Sequence, residues 1–466
     1  MKKINILILL FSVVILFSCR KYLDVNQNPN QPTEPPINGL FGSTTYSTAF
    51  NYFRSGNLGA YYVQYLASPN ASSPTDVYEN IDASTTWTGI YDNMTDLVDL
   101  EKMAMERGFT AYQGVAKIMT AMHLGLLHDV WGAAPYSKAF TLADVTPEFD
   151  DAQTVHQTAI KLLDDGIALL QQGGTTVALN ASLDFIHGGN VPAWIRTAYA
   201  IKARLLNQLS KTSQYNASNV LAALGNSYTS NSQDAQVTAY SVRNPWAQVA
   251  VNNAGLLLDG WLSKNFVDAM NGTTFGLFDP RLPRITNLTK FGDYRGTRNG
   301  AGRVGNGTSN EESVLKTTGW YSSTNSPLLI ATFSELKFIE AEATLATDKP
   351  RSYNAYLAGI TANMTKMGVS TDSINTYINN SNVSVGATNL TLKRIMEEKY
   401  KAMFLHPSAW VDARRFNYQY TGFQMPLNAV LATFIRRLDY PSVETTRNGA
   451  NVPAVASLAD RLWWDQ

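Results

Sequence analysis

Apolar residues recur at spacings of three and four along much of the chain, which predicts amphipathic helices. The clearest stretch ends near Trp131-Gly132, and the apolar residues on its one face are Val115, Ile118, Met119, Met122, Leu126 and Val130. A second stretch stops at Gly173-Gly174 and carries Ile160, Leu163, Ile167 and Leu170. A third covers residues 192–209, and its predicted buried side carries Ile195, Tyr199 and Leu206. Further helices are predicted at residues 87–107, 333–347, 352–367 and 392–403.

The predicted helices come in pairs joined by short turns, as residues 87–107 and 112–131 do. Strand-like alternation is sparse, so the pattern predicts a mainly α fold of stacked helical hairpins. No strict 34-residue consensus repeats, and an irregular helical bundle would show the same periodicity. Between about residues 211 and 330 the pattern gives way to Asn-, Ser-, Thr- and Gly-rich sequence. We predict a loop-rich insertion there, and loops with aromatic residues and little charge on a helical scaffold are candidate binding elements.

The N-terminus has the features of a bacterial export signal. Two lysines precede an apolar stretch that is too short to span a membrane as a mature helix, and Leu16-Phe17-Ser18 leads into Cys19, the only cysteine. This resembles a lipobox, so we expect residues 1–18 to be removed and Cys19 to be acylated, with chains such as palmitate as the membrane anchor. A secreted protein without lipid is the alternative.

Residues 19–38 are predicted to form an extended lipidated arm, because the segment carries four prolines and several Asn and Gln residues. Residues 39–466 are predicted to form a single helical domain that contains the insertion at about 211–330. No later stretch offers the run of about 18 apolar residues that a membrane helix needs.

Composition narrows the classes of function. Hydrophobic residues make up 45% of the chain and charged residues 16%, which argues against disorder. Lys plus Arg and Asp plus Glu both number 37, so the protein lacks the basic field that nucleic-acid binding requires. Aromatic residues reach 11%, and a weakly charged, aromatic surface suits neutral polar ligands such as sugars or peptides.

Searches for catalytic motifs are mostly negative. Gly300, Gly302 and Gly305 match G-x-G-x-x-G, but the flanking strand and helix that dinucleotide binding requires are absent, which favours a flexible loop. His123 and His128 lie five residues apart, about 140° around a helix, and cannot share a metal ion. We therefore expect no cofactor and no metal. A glycosidase requires two carboxylates at the right separation in space. The sequence does not show which carboxylates come together, so a glycosidase stays an open alternative.

Two acidic stretches have simpler structural interpretations. Asp144, Glu148, Asp150 and Asp151 precede a predicted helix near Thr154, where acids act as caps. Glu397-Glu398-Lys399 lies beside Lys393 and Arg394 at helical spacing, which predicts a solvated helix face.

Several motifs spread over nearly the whole chain resemble one known family. They are Tyr22-Leu23-Asp24-Val25-Asn26 with Asn28-Pro29-Asn30, Asp129-Val130-Trp131-Gly132 with Pro135-Tyr136-Ser137, Glu340-Ala341-Glu342-Ala343, Glu398-Lys399-Tyr400, Trp410-x-Asp412-x-Arg414-Arg415, Arg437-x-x-Tyr440-Pro441 and Trp463-Trp464-Asp465. Together with the lipobox cysteine, they are similar to the SusD/RagB outer-membrane lipoproteins of Bacteroidetes.

The resemblance implies tetratricopeptide-like hairpins, an outer-membrane location facing the cell exterior, and a partner, a SusC-like TonB-dependent transporter. It also implies capture of a nutrient without chemistry, usually a glycan and in some members a peptide. Arg20-Lys21 stand where surface-exported lipoproteins of this phylum often carry acids, which leaves the orientation less settled than the lipidation. A helical glycosidase or lyase and a purely structural lipoprotein are the other classes.

For the ligand site we select Trp87, Tyr294, Arg295, Trp320 and Tyr321. The aromatic residues lie at a helix start or in glycine-rich loops, where a ring can stay exposed for stacking. Trp320-Tyr321 is favoured, because no apolar period surrounds it. Trp87 opens an amphipathic helix and can equally well pack there, and a surface salt bridge is the commoner role for Arg295.

Overall fold

The computed structural model describes residues 36–141, 145–172, 177–256, 260–304 and 310–466, so residues 1–35, with the predicted signal, Cys19 and most of the arm, lie outside it. Its helices are α1 Ile37–Tyr62, α2 Ser84–Glu106, α3 Thr110–Val130, α4 Ala152–Gln171, α5 Val191–Gln208, α6 Ala217–Gly225, α7 Pro245–Leu256, α8 Lys264–Met270, α9 Leu282–Ile285, α10 Phe333–Thr344, α11 Lys349–Lys366, α12 Thr371–Ile378, α13 Leu392–Ala402, α14 Ser408–Arg415 and α15 Ser442–Arg447.

Four short strands accompany these helices: β1 Leu66–Ala67, β2 Ala235–Val237, β3 Trp261–Leu262 and β4 Leu328–Ala331. They form two antiparallel pairs, β1 with β3 and β2 with β4. In the first pair Leu66 lies opposite Leu262. The β1–β3 pair ties the region between α6 and α10 to the chain that follows α1, and the mainly α prediction is confirmed.

The first six helices stack in chain order, each packed against the next, and α10 with α11 forms a further hairpin against which α13 packs. Side-chain caps define where individual helices begin: Asp151 accepts from the Thr154 amide at 2.8 Å ahead of α4, as expected for the acids before it. Asn190 accepts from the Ala193 amide at 3.0 Å at the start of α5, and Pro192 lies in its first turn. Within the described ranges, no helix combines the length and the apolarity needed to cross a bilayer.

The buried face of α5 differs from the predicted one. Its fully buried side chains include Trp194, Ala198, Ile201 and Leu205. The predicted set, Ile195, Tyr199 and Leu206, is only partly buried at the edge of the core. The stripe is displaced because neighbours cover this helix on more than one side.

The first helix, α1, has no clear amphipathic pattern because polar as well as apolar side chains are buried along it. Thr44, Thr48 and Asn51 are fully buried there. The Asn51 amide lies 3.1 Å from Nε2 of His123, and the Asn93 amide lies 3.0 Å from the same nitrogen. Nδ1 of His123 is 2.7 Å from the Met119 carbonyl oxygen, so Nδ1 donates and Nε2 accepts, and the imidazole is neutral.

A buried ionic cluster lies where α13 meets the loop before α9. Arg281 is fully buried and donates to both carboxylate oxygens of Asp279, at 2.9 and 2.6 Å, and to Glu398 at 2.9 Å. Lys401 donates to the other oxygen of Glu398 at 2.6 Å. The prediction that Glu397-Glu398-Lys399 forms a solvated face is therefore wrong, because ion pairs with distant parts of the chain allow these charges to be buried.

Candidate ligand-binding site

An open cleft of about 270 Å³ lies between the start of α8, the chain that follows α1 and two loops. Its wall is mostly polar, and the side chains used below are Gln64, Asn265, Asp268, Arg298, Asn299 and Gln424. Gln64 donates from its side-chain amide to the Gln424 carbonyl at 2.6 Å, which joins two walls of the cleft. The planar amides provide donors and acceptors of the kind that bind sugar hydroxyls or peptide groups.

Asn299 and Asp76 hold the floor of this cleft together. The Asn299 amide donates to the Leu66 carbonyl and to Asp76, both at 2.9 Å, and its oxygen accepts from the Ser263 hydroxyl at 2.7 Å. Burial raises the pKa of Asp76 to about 6, although hydrogen bonds from Gly300, Ser68 and Asn299 oppose this shift. We call Asp76, Asn299, Gly300 and Gly302 the glycine hub.

The two glycines of the hub permit three chain segments to touch. Gly300 has φ +79°, and a Cβ atom there would lie 1.9 Å from the Leu427 carbonyl oxygen. Gly302 has φ +72°, and its Cβ would lie 2.4 Å from the Ala71 nitrogen. The glycines therefore serve close backbone packing in a loop, in agreement with the interpretation that rejected dinucleotide binding. Gly305 lies outside the described residues.

Three aromatic side chains on the segments that follow α8 form a platform outside the cleft lining. The Phe278 ring is 44% exposed and lies 5.9 Å from the half-buried Tyr294 ring. Phe291 is 56% exposed, and the Arg295 guanidinium lies 4.4 Å from the centroid of its ring. The side chain of Asn271, directly after α8, donates to the Tyr294 carbonyl at 3.0 Å. The aromatic platform, defined by Phe278, Phe291 and Tyr294, is thus fixed to the helix that begins at the cleft.

The structure brings only two of the five selected residues, Tyr294 and Arg295, to this platform. Arg295 is exposed and forms an ion pair with Asp293, which is the structural role that sequence reasoning kept as its alternative. Trp320 is half-buried and its amide donates to the Arg284 carbonyl at 2.8 Å, on a different loop.

Tyr321 and Trp87 are both only 3% exposed. The expectation that Tyr321 stays exposed is wrong, because its ring packs 5.1 Å from Phe404 and against Trp320. Trp87 packs edge-on against Trp131 at 5.0 Å, as the alternative for that residue proposed. Neither ring has a free face for stacking on a ligand.

Sequence reasoning missed the residues of the cleft wall. Gln64, Asn265 and Gln424 are single polar residues in segments far apart in the chain, and no local pattern distinguishes them. Arg298 carried the one usable signal, since it lies in the same glycine-rich loop as Arg295. Within the described residues, no group of three or more His, Cys, Asp or Glu side chains is arranged to hold a metal ion.

Residues 29–441 match the family model SusD-like, described as starch-binding and associating with the outer membrane. The chain belongs to the SusD-like family. Its fold is similar to that of a SusD/RagB family protein from Bacteroides thetaiotaomicron, with a TM-score of 0.77 and 20% identity over 93% of this chain and 99% of the other. A chitin-binding SusD homologue from Flavobacterium johnsoniae gives a TM-score of 0.78 and 18% identity over 92% and 98%.

A SusD homologue from Bacteroides uniformis is similar as well, with a TM-score of 0.75 and 19% identity over 92% of this chain and 99% of the other. No match was found among curated proteins. At these identities the solved structures establish the SusD-like fold alone, and the ligand has to be inferred from the cleft.

Proposed function

We propose that this SusD-like protein captures an oligosaccharide in the cleft and delivers it to a SusC-like TonB-dependent transporter of the outer membrane. The observation that carries the proposal is a cleft lined mostly by polar residues, together with exposed aromatic rings on the segments that follow α8, the helix that begins at the cleft. Planar amides bind hydroxyl groups, and aromatic rings stack on the apolar faces of sugar rings. The family description as starch-binding and the chitin-binding homologue support a glycan over the alternative ligand, a peptide.

Binding without chemistry is favoured by the carboxylates near the cleft. A glycosidase needs two carboxyl groups about 5 to 9.5 Å apart on either side of the scissile bond. Among the described residues that line the cleft, Asp268 is the one acid, and it is ion-paired with Lys264. Asp76 lies fully buried in the glycine hub, where its oxygens accept from backbone and amide groups. The cleft therefore lacks a pair in catalytic positions.

The transporter partnership is supported by the apolar residues around the cleft. Large exposed side chains lie on the chain segments that supply the lining residues or flank them in sequence: Phe278, Leu288, Phe291, Val304, Leu427 and Val430. Exposed apolar groups in such a concentration mark surfaces that contact a partner. We propose that this rim and the arm of residues 19–38 dock on the transporter, so that the cleft faces the route of transport.

Removing the aromatic platform tests the glycan site. A Phe278→Ala, Tyr294→Ala double variant is expected to bind its oligosaccharide about 5- to 150-fold more weakly, because each lost aromatic ring removes about 0.5 to 1.5 kcal/mol of binding free energy. Calorimetric titration with maltoheptaose and chitohexaose measures the change. The matched control is Met105→Ala, which removes a still more exposed apolar side chain (60% exposed) from α2. Unchanged affinity in the double variant would exclude the platform, and binding of peptides alone would favour the peptide alternative.

The anchor is proposed to be Cys19, which lies outside the described residues. A Cys19→Ala variant should leave the membrane fraction and appear in the soluble fraction, because acyl chains contribute about 0.8 kcal/mol per buried methylene and no other span is predicted. Fractionation combined with labelled palmitate measures both location and lipidation, with Lys21→Ala as the control that keeps both. Sedimentation of the cysteine variant with outer membranes, after high-salt washing and in cells without the transporter, would place the anchor elsewhere.

A further inference from the structure

Arg298 differs from the other cations around the cleft because its charge is not neutralised by the protein. Lys264 is ion-paired with Asp268, Arg295 with Asp293 and Lys290 with Glu311. No hydrogen bond or ion pair reaches the Arg298 guanidinium from any residue that the structure describes, and this exposed side chain lines the cleft. Because an arginine side chain keeps its proton in proteins, the cleft wall carries one uncompensated positive charge.

The backbone on both sides of Arg298 is held in place. The Thr297 amide donates to the Leu262 carbonyl at 2.9 Å, and the Thr297 carbonyl accepts from the Lys264 amide at 2.7 Å. On the other side Asn299 belongs to the glycine hub, and the Arg298 carbonyl itself accepts from the Ala301 amide at 3.0 Å. The side chain thus projects from a fixed segment, which lowers the entropic cost of orienting it on a ligand.

We infer that the oligosaccharide taken by this cleft is acidic, with the carboxylate of a uronic acid unit bound by Arg298. The inference rests on the proposed function and names its class of ligand. A guanidinium offers two parallel donors that match the two oxygens of a carboxylate, and such charge-assisted bonds are stronger than bonds to hydroxyl groups. The side-chain amides of Asn265 and Gln424 and the aromatic platform are then left for the neutral parts of the same oligosaccharide.

The test compares acidic oligosaccharides with their neutral counterparts. Oligogalacturonate and alginate oligomers are titrated calorimetrically against the mature protein, each beside its carboxyl-reduced form, which keeps the linkages and removes the charge. We expect at least one acidic form to bind about tenfold or more tightly than its reduced form, with a preference that weakens as sodium chloride is raised. Maltoheptaose and chitohexaose, which are neutral without carboxyl reduction, serve as further neutral probes.

Variants at Arg298 separate charge from hydrogen bonding. Arg298→Gln keeps a polar side chain and should lose about tenfold in affinity for the acidic form while binding the reduced form as before. Arg298→Lys should retain part of the preference. Arg303→Gln is the matched control, because Arg303 is an exposed arginine of the same loop that is outside the cleft lining. Unchanged melting temperatures confirm that the variants fold.

Four results would overturn the inference. Equal affinity for acidic and reduced forms would show that the carboxylate is not recognised, and full acidic affinity in Arg298→Gln would exclude the residue. Binding of maltoheptaose or chitohexaose with no binding of any acidic form would reject the acidic class and leave the proposed glycan function standing. Failure of every oligosaccharide would reject that function together with the inference.

Discussion

Replacing Arg281 by methionine is expected to lower the free energy of unfolding by about 3 to 5 kcal/mol, the range for breaking a buried ion pair by removing one partner. Arg281 donates to Asp279, to Glu398 and, at 3.0 Å, to the side chain of Asn363. Without the guanidinium, two buried carboxylates share the single positive charge of Lys401, which lies 3.9 Å from Asp279. Urea unfolding followed by circular dichroism measures the loss.

The sequence contains its own matched control, because Asp293-Tyr294-Arg295 repeats the Asp-x-Arg spacing of Asp279-Pro280-Arg281. Arg295 and Asp293 are about half exposed, so solvent screens their charges and Arg295→Met should leave the unfolding free energy nearly unchanged. Similar losses in the two variants would mean that burial does not set the strength of the pair at residue 281.

The second large effect is a dependence of stability on pH through His123. Burial lowers the pKa of His123 to about 4, although the hydrogen bond to the Met119 carbonyl opposes this shift. The unfolded chain has a histidine pKa of about 6.5, so it takes up a proton first. The contribution of His123 to stability is complete above that pKa, and it falls as the pH falls toward 4. At pH 5 the loss amounts to about 2 kcal/mol.

The geometry explains why the folded protein resists the proton. A proton on Nε2 of His123 would point at the amide donors of Asn51 and Asn93, which supply no acceptor. Between pH 7 and pH 5, a His123→Gln variant should therefore lose about 2 kcal/mol less stability than the wild type, whatever its stability at pH 7. Other titrating groups, such as His406 and Asp76, are present in both proteins and cancel in the difference. An equal pH dependence in both would exclude His123 as its source.

The helices that the sequence predicted are those that carry apolar residues at helical spacing, whether or not their other faces are also covered. The apolar stripe that includes Ile118 and Leu126 marks α3, and its end near Trp131 is confirmed. In α1, Thr44, Thr48 and Asn51 are buried because backbone carbonyls and the side chains of Asn93 and His123 satisfy them, so the apolar periodicity of this helix is too weak to predict it. The burial of Glu398 depends on Arg281, which is 117 residues earlier in the chain, and such a pairing leaves no local trace.

Part of the candidate site could also be predicted from the sequence. Tyr294 and Arg295 could be selected because aromatic and cationic residues in a glycine-rich loop are often exposed. The residues of the cleft wall could not be selected in this way, because Gln64, Asn265 and Gln424 become neighbours only after folding. Tyr321 was expected to be exposed because its own segment has no apolar periodicity. The prediction failed because Phe404, from a distant segment, covers its ring. The division into arm, single domain and insertion stays a prediction.

The glycine hub bears on how the specificity of this protein can evolve or be redesigned. Because Gly300 and Gly302 hold three chain segments together by backbone contact, the loop that carries Arg298 lies on a base whose geometry does not depend on the Arg298 side chain. Substitutions at Phe278, Arg298 or Gln424 can then exchange one ligand for another without refolding the loops. A library for new specificities should randomise those positions and leave the two glycines, Asp76 and Asn299 unchanged.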